Sequence, residues 1–309
     1  MNYPIETFDL SKRYRAVRAV EQLSLRVAEG EVYAFLGLNG AGKTTTIRML
    51  LGMIRPTSGF ARVLNTPVRP GSREPWASVG YMVETPRSYP ELTVCENLEA
   101  ARRLHPGTSR EAVSRVIERM GLAPYASRRA GELSHGNAQR LGLAKALIHS
   151  PKLLLLDEPA NGLDPAGIVE TRELLRGLAR EQGVTIFMSS HILAEVARLA
   201  QRIGIIHQGR LVQELSIAEL ERSRRRRLLV RARDLAAARQ ALRAAGHPTE
   251  TLPDGALALT SGSAVERPEE ICALLVQAGA PPTLLLVEEE DLEQYFLRLV
   301  GADGGENAG

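Results

Sequence analysis

The feature that most constrains this chain is a glycine-rich loop between an apolar run and a helix-forming segment. Residues 32–36 read VYAFL, residues 37–45 read GLNGAGKTT, and TIRMLLGM follows. The loop matches the pattern GxxxxGK[ST] from Gly37 to Thr44, in the strand–loop–helix context that this pattern requires. Such a loop surrounds an anion with backbone N–H groups, and the helix N-terminus adds positive partial charge. We therefore predict a phosphate-binding loop; the alternative, a glycine-rich turn without a ligand, is disfavoured by the flanking strand and helix.

Two side chains of the loop predict the kind of phosphate ligand. Lys43 is a mobile cation suited to the β- and γ-phosphates of a nucleotide, and the hydroxyl of Thr44 can ligate Mg²⁺. The nucleotide-binding residues predicted from the loop are Gly37, Leu38, Asn39, Gly40, Ala41, Gly42, Lys43, Thr44 and Thr45.

A second motif, KLLLLDE at residues 152–158, indicates hydrolysis rather than binding alone. Four consecutive leucines are typical of a strand buried on both faces of a parallel sheet. Asp157 and Glu158 follow this strand at its carboxyl end, where open α/β sheets bind ligands. Asp157 suits Mg²⁺ beside Thr44, and Glu158 is placed to orient or deprotonate an attacking water.

The order of apolar runs predicts an α/β fold. Short β-rich runs alternate with amphipathic stretches, which favours a mostly parallel sheet. Between Thr93 and Ser150 the sequence is helical, so we expect a helical subdomain over about 93–150 that is inserted between two strands. An antiparallel β edge completes the predicted fold, a P-loop NTPase core over residues 1–220.

The composition changes near residue 220, and a smaller α+β pattern follows. We predict a small C-terminal accessory or dimerisation domain over 221–300 and a disordered tail over 301–309. The run RSRRRR at 222–227 fits a solvated linker or an edge-strand charge cluster better than a site for anionic lipid or nucleic acid. The final helix, DLEQYFLRLVG, places Leu292, Tyr295, Phe296 and Leu299 on one face and should therefore dock.

Composition excludes several other classes of protein. The formal net charge is only +3, so no nucleic-acid partner is expected. Cys95 and Cys272 have no metal-ligand spacing and are expected to be reduced thiols of a cytosolic protein. No apolar run approaches the roughly 20 residues that cross a bilayer, and the N-terminus does not read as a signal peptide. We expect a soluble chain, with any membrane part supplied by a partner.

Three further motifs bring a resemblance to a known family. LSHGNAQR at 133–140 precedes the run KLLLLDE, PANGLD follows it at 159–164, and SSH ends at His191. In order and spacing, these motifs and the phosphate loop resemble the nucleotide-binding domain of ABC ATPases over about residues 1–220. The resemblance implies that ATP and Mg²⁺ are the cofactors. It also implies a head-to-tail dimer with two ATP molecules between the subunits. We expect a homodimer, and the alternative is a pair with a different ATP-binding subunit.

The resemblance assigns roles to individual residues. LSHGN is similar to the LSGGQ signature, which contacts the γ-phosphate bound by the opposite subunit. His135 and Asn137 depart from that pattern, whereas Ser134 and Gly136 match it. The resemblance further implies that Tyr14 stacks on adenine, that Asp164 acts across the dimer, and that His191 acts with Glu158 as a catalytic residue that senses the γ-phosphate.

Glu84, in VGYMVETPRSYP at 79–90, has two interpretations. Taken alone, it is a charge where a loop begins. In the family register it stands where most members have the glutamine of the Q-loop, which touches Mg²⁺ or the attacking water and relays nucleotide state to the membrane partner. A carboxylate there is similar to bacitracin-resistance and lantibiotic-immunity ATPases, as are YPELTVCENL and EEEDLEQYFLRLVG. The resemblance adds Glu84 to Thr44 and Asp157 as a predicted metal ligand.

The leading hypothesis is the ATP-hydrolysing subunit of an ABC exporter, working with a separate ABC-2-type permease. It would lie in the cytoplasm, peripheral on the inner face of the cell membrane, and contact the membrane through that permease. The cargo would be a drug, an antimicrobial peptide or a lipid. The alternative is a soluble ABC ATPase with a regulatory or translation-associated role. A P-loop kinase is disfavoured, because such enzymes need neither LSHGN nor SSH.

Overall fold

The computed structural model describes residues 2–71, 74–84 and 86–303. The chain divides after Ile217 into an N-terminal unit and a C-terminal unit that begins at Ala218. No helix of the described ranges is long and apolar enough to cross a membrane. The predicted tail at 301–309 lies only partly in the described residues. Its first three residues continue the last helix to Asp303, and 304–309 lie outside those ranges.

The N-terminal unit contains two sheets. Their strands are β1 (Ile5–Tyr14), β2 (Val17–Val27), β3 (Val32–Leu36), β4 (Ser58–Val63), β5 (Thr66–Pro67), β6 (Val79–Met82), β7 (Leu153–Leu156), β8 (Thr185–Ser190), β9 (Arg202–His207) and β10 (Arg210–Ser216). One sheet is antiparallel with the order β2-β1-β4-β5, and the other has six strands in the order β10-β9-β3-β8-β7-β6. In the second sheet, β9 and β10 pair antiparallel, and the other described pairings are parallel.

The six-stranded sheet is buried because its sequence is apolar on both faces. All residues of β3, β7 and β8 are buried. Parallel strands covered on both sides have this composition. The strand ends also carry the chemistry: β3 leads into the glycine-rich loop, β7 into Asp157, and β8 ends at Ser190. Since parallel strands present the same end at one edge, the predicted motifs meet there.

Among the described residues, six α-helices belong to the N-terminal unit, and a seventh spans the division at Ile217. They are α1 (Lys43–Leu50), α2 (Val94–Arg103), α3 (Glu111–Arg119), α4 (His135–Leu147), α5 (Pro165–Gln182), α6 (Leu193–Ala197) and α7 (Ile217–Ser223). Helices α2, α3 and α4 lie between β6 and β7, where a helical insertion was predicted. Thr93 begins α2 with a capping box: its hydroxyl accepts from the backbone N–H of Glu96, whose carboxylate accepts from the Thr93 N–H.

The C-terminal unit is a four-stranded antiparallel sheet packed against helices. Its strands are β11 (Arg226–Ala232), β12 (Glu250–Thr251), β13 (Leu257–Leu259) and β14 (Pro282–Glu289), in the order β12-β13-β11-β14. Its helices are α8 (Leu235–Ala244), α9 (Gly262–Glu266), α10 (Pro268–Gln277) and α11 (Leu292–Asp303). The core combines one face of β11 and β13 with α8 and α10. In α11, Tyr295 and Phe296 are buried, as expected for a docked helix.

The arginine run differs from its prediction. Arg226 and Arg227 begin β11, which is an interior strand rather than a linker or an edge. The β11–β14 register places them opposite Glu289 and Glu288, and both pairs form ion pairs with N–O distances of 2.5 Å. Opposite charges on directly facing strand positions stabilise that register. The charge cluster therefore stabilises the pairing of β11 with β14.

Candidate nucleotide-binding and hydrolysis site

The glycine-rich loop joins β3 to α1 in a conformation that requires glycine. Gly42 has φ of 112°, and a Cβ atom there would lie 2.4 Å from the carbonyl oxygen of Ala19. At Gly37 a Cβ atom would lie 2.5 Å from the carbonyl oxygen of Ile206. Helix α1 begins at Lys43, and no side chain of the described residues caps it. Within the described part of the chain, the first N–H groups of α1 therefore have no capping side chain, as in anion-binding loops.

Lys43 folds back over the loop that it follows. Its Nζ donates to the carbonyl oxygens of Gly37 at 2.6 Å and Leu38 at 3.3 Å. The same Nζ lies 3.2 Å from Oε1 of Glu158. The Lys43 side chain is buried. Its ammonium group therefore lies between the loop backbone and a carboxylate, where it can exchange these partners for phosphate oxygens.

Asp157 and Thr44 form a paired oxygen site at the end of β7. The hydroxyl of Thr44 donates to Oδ2 of Asp157 at 2.7 Å, and the hydroxyl of Ser189 donates to Oδ1 at 2.5 Å. Asp157 is buried, so both carboxylate oxygens are hydrogen-bonded rather than hydrated. Hydroxyl and carboxylate oxygens are ligands that Mg²⁺ prefers. Thr44 and Asp157 therefore fit the predicted metal.

Glu158 bridges a lysine and a histidine. Its Oε1 lies close to Lys43, and its Oε2 lies 2.8 Å from Nδ1 of His191. Its backbone N–H donates to the Ser189 hydroxyl, and its φ is 49°. This left-handed conformation is costly for a residue with a side chain and is typical of functional sites. The structure thus brings the predicted catalytic residues Glu158 and His191 together over the loop lysine.

A cavity of about 410 Å³ lies at the loop. The predicted residues that line it are Leu38, Asn39, Gly40, Gly42, Lys43, Thr44, Thr45 and Glu158; Val17, Arg18, Ala19 and Gln208 complete the lining. Tyr14 is outside this lining in the described part of the chain. It ends β1, is 44% exposed, and lies under Lys12 Nζ at 4.9 Å from its ring centroid. Ala41 lies below the surface, and its carbonyl accepts from Gly209 N–H at 2.9 Å.

The residues of LSHGN lie beside the segment that follows Glu158. Ser134 caps α4 by accepting from the N–H of Asn137 at 3.3 Å. The ring of His135 packs on Gly162, where a Cβ atom would lie 2.2 Å from it, and Gly136 faces Leu163. Among the described residues, none of Ser134 to Asn137 lines the cavity at the loop of its own chain.

Asp164 caps the helix that follows this segment. Its Oδ1 accepts from the N–H of Gly167 at 2.9 Å at the start of α5. The cap fixes the end of the PANGLD segment, which also contacts His135 through Gly162. Asp164 and the LSHGN residues therefore lie close together on the surface of one chain.

Glu84 follows β6 and is held by helix α1. Its Oε1 lies 2.5 Å from Nη2 of Arg48, and its φ is 57°. Glu84 and Arg48 line a second cavity of about 410 Å³ with Tyr81, Arg87 and others, separate from the cavity at the glycine-rich loop. The structure thus brings Thr44 and Asp157 into contact and pairs Glu84 with a guanidinium group instead.

Comparison with known proteins decides the family. The ABC transporter family model matches residues 20–161. The bacitracin transport ATP-binding protein BcrA of Bacillus licheniformis is 39% identical over 303 residues, which covers 97% of this chain and 98% of BcrA. The chain belongs to the ABC transporter ATP-binding subunits. The lantibiotic transport ATP-binding protein SrtF of Streptococcus pyogenes is 38% identical over 206 residues, 67% of this chain and 88% of SrtF.

Solved structures show the same fold. An ATP-binding subunit of an ABC transporter is 31% identical and superposes with a TM-score of 0.65, over 71% of this chain and 92% of that one. An ATP-binding cassette in a dimeric post-hydrolysis state with ADP and phosphate is 22% identical with a TM-score of 0.64, over 69% of this chain and 98% of its own. The predicted fold class is confirmed, and this ABC subunit binds and hydrolyses ATP.

Sequence reasoning missed several residues that build the ABC site. Ser189 orients Asp157 and Glu158; it is the first residue of SSH, the motif in which a role was predicted for His191 alone. Gln139 is buried in α4, and its Nε2 donates to the carbonyl oxygens of Glu158 at 3.3 Å and Pro159 at 3.1 Å. Gln139 therefore ties the LSHGN helix to the catalytic segment, a contact without a local sequence signal.

Proposed function

We propose that this ABC subunit powers export through a separate ABC-2-type permease. The cargo is a drug, an antimicrobial peptide or a lipid, with a peptide antibiotic of the bacitracin or lantibiotic kind favoured. The observation that carries the proposal is the extent of the similarity to BcrA, which covers 97% of the chain and so includes the C-terminal unit. The subunit would be peripheral on the cytoplasmic face of the membrane and contact it through the permease.

In the proposed reaction, the chain's own residues position ATP and water. The loop N–H groups and Lys43 would bind the β- and γ-phosphates, and Thr44 and Asp157 would hold Mg²⁺, with Glu84 as a further ligand. When bound, Mg²⁺ neutralises part of the negative charge on those phosphates. Glu158 accepts a proton from the attacking water, and His191 keeps the carboxylate oriented through its contact of 2.8 Å.

We infer that the ATP site is completed by a second copy of the chain. Ser134, Asn137 and the neighbouring residues of LSHGN lie beside Asp164 and are absent from the described lining of their own chain's loop cavity. In a head-to-tail homodimer they would contact the γ-phosphate bound by the partner. The proposal also assigns adenine stacking to Tyr14, whose ring is exposed at the end of β1.

The catalytic assignment is tested with Glu158→Gln. Loss of a general base typically lowers the rate by about 10²–10⁴-fold, so we expect at least about a hundredfold fall in ATP turnover. Because ATP would remain bound, the variant should form a dimer on addition of MgATP, measured by light scattering after size exclusion. Glu181→Gln, on the exposed side of α5, is the matched control. Undiminished turnover in Glu158→Gln would reject Glu158 as the base.

The export assignment is tested by expressing the chain with the polytopic membrane protein encoded beside its gene. We expect the two to co-purify, and to raise the bacitracin or lantibiotic concentration tolerated by a sensitive bacterium. The same pair carrying Glu158→Gln should give no protection. If the wild-type chain purifies without any membrane protein and gives no protection, the soluble regulatory or translation-associated role is favoured instead.

A further inference from the structure

The contact between Arg48 and Glu84 joins the nucleotide loop to the segment after β6. Arg48 lies on α1 four residues after Thr44, so both side chains project from the same helix face, roughly one turn or 5–6 Å apart. Thr44 contacts Asp157, whereas Arg48 contacts Glu84. The carboxylate of Glu84 is therefore held about one helical turn away from the Thr44 end of α1.

The backbone that carries Glu84 is anchored close to Asp157. The carbonyl oxygen of Met82 accepts from the N–H of Asp157 at 2.7 Å, and β6 and β7 pair in parallel up to Met82 and Leu156. Only one residue separates Met82 from Glu84. A change in the side-chain position of Glu84, without movement of β6, therefore alters how close its carboxylate is to Asp157.

The ion pair itself is weak enough to exchange. The side chains of Arg48 and Glu84 are 37% and 52% exposed. Exposed pairs of this kind contribute little to stability, because water solvates both charges. A carboxylate oxygen is a ligand that Mg²⁺ prefers, and direct coordination of the metal can replace one weak, exposed ion pair. A carboxylate held in this way can be released without unfolding its surroundings.

We propose that Arg48 is a positioning residue that competes with Mg²⁺ for the carboxylate of Glu84. Arg48 holds Glu84 on α1 when no metal is bound and releases it when MgATP occupies the loop. Arg48 thereby sets the Mg²⁺ affinity of the nucleotide complex. This inference rests on the proposed role of Glu84 as a metal ligand.

The test measures Mg²⁺ binding rather than turnover. Mg²⁺ is titrated calorimetrically into the full chain saturated with a non-hydrolysable ATP analogue. From the usual strength of exposed pairs, Arg48→Gln should bind Mg²⁺ about two- to fivefold more tightly than the wild type. Arg48→Lys, which keeps the charge, should restore an affinity near the wild-type value. The control is Arg176→Gln, which removes another exposed pair of 2.5 Å, with Glu173, and should leave Mg²⁺ affinity unchanged.

Measurements in a Glu84→Gln background distinguish failure of the competition by Arg48 from failure of the metal role of Glu84. We expect Glu84→Gln to weaken Mg²⁺ binding and Arg48→Gln to add nothing in that background. If Glu84→Gln weakens binding but Arg48→Gln leaves the Mg²⁺ affinity unchanged or lowers it, the competition is refuted while Glu84 remains a ligand. If Glu84→Gln leaves Mg²⁺ affinity unchanged, the metal role of Glu84 and the competition are both refuted.

Discussion

Two stacked histidines of the N-terminal unit should make its stability depend on pH. His105 follows α2 and His149 follows α4, and their rings stack with centroids 3.7 Å apart and an interplanar angle of 4°. His149 Nε2 lies 3.2 Å from the carbonyl oxygen of Val79, and its Nδ1 is buried without a partner in the described structure. Burial, and then the charge of His105, lower the pKa of His149 to about 4. We expect protonation of His149 to destabilise this unit.

The expected loss follows from the pKa of His149 in the two states. In the unfolded chain its pKa returns to about 6.5, so unfolding takes up a proton. Above pH 6.5, His149 is neutral in both states and does not change the free energy of unfolding. As pH falls from 6.5 towards 4, the unfolded chain is protonated and the folded chain is not, so the free energy of unfolding decreases. Between pH 7 and pH 5 this linkage amounts to about 2 kcal/mol before screening and, because the ring is only half-buried, to about 1 kcal/mol. Lys145 and Arg87 line a cavity together with His149.

The assay uses the chain's only tryptophan, Trp76, which lines a cavity of about 730 Å³ with both histidines. Urea unfolding is followed by Trp76 fluorescence at pH 7 and pH 5 in the wild type and in His149→Gln. The variant should lose about 1 kcal/mol less unfolding free energy over this range than the wild type. His247→Gln, in the C-terminal unit, controls for removal of a histidine. If wild type and His149→Gln lose the same free energy, the assignment of the lowered pKa to folding stability is wrong.

Two further predictions concern the glycine-rich loop and a helix cap. Gly42→Ala would place a Cβ atom 2.4 Å from the backbone of Ala19, so its affinity for a fluorescent ATP analogue should fall at least about tenfold. Gly40→Ala, with no atom within 4 Å of the new Cβ, should retain more affinity, and equal losses would contradict the steric argument. Thr93→Ala removes the capping box with Glu96 and should lower the free energy of urea unfolding by about 1 kcal/mol. Thr93→Ser should recover most of it, and an unchanged midpoint in Thr93→Ala would reject the cap.

The meeting of the glycine-rich loop with Asp157 and Glu158 at one edge of the sheet was predictable because its signals are local. The loop before α1 and the acids after β7 each stand next to an apolar run that specifies a buried strand. Parallel pairing then brings those strand ends together without further information. Ser189, Gln139 and Gln208 were missed because their roles depend on which distant strand or turn lies beside them. The residues that flank them in the sequence do not indicate which strand or turn that is.

The arginine run was misjudged for the same reason. Charge in a short window favours a solvated segment, because a window of a few residues contains no partner. The partners of Arg226 and Arg227 are Glu289 and Glu288, which lie about sixty positions later and become neighbours only through the β11–β14 register. The pairing could be inferred only after the antiparallel order of the sheet was known.

Backbone strain and ion pairing coincide at the two carboxylates that follow β6 and β7. Glu84 and Glu158 have φ values of 57° and 49°, a conformation that costs side-chain-bearing residues about 1–3 kcal/mol and that glycine adopts freely. Each carboxylate is held by a cation of α1: Lys43 at its first position and Arg48 further along. One helix, whose N-terminus faces the phosphate loop, therefore holds both side chains. A glycine at either position would relieve the strain but leave that helix without its carboxylate partner.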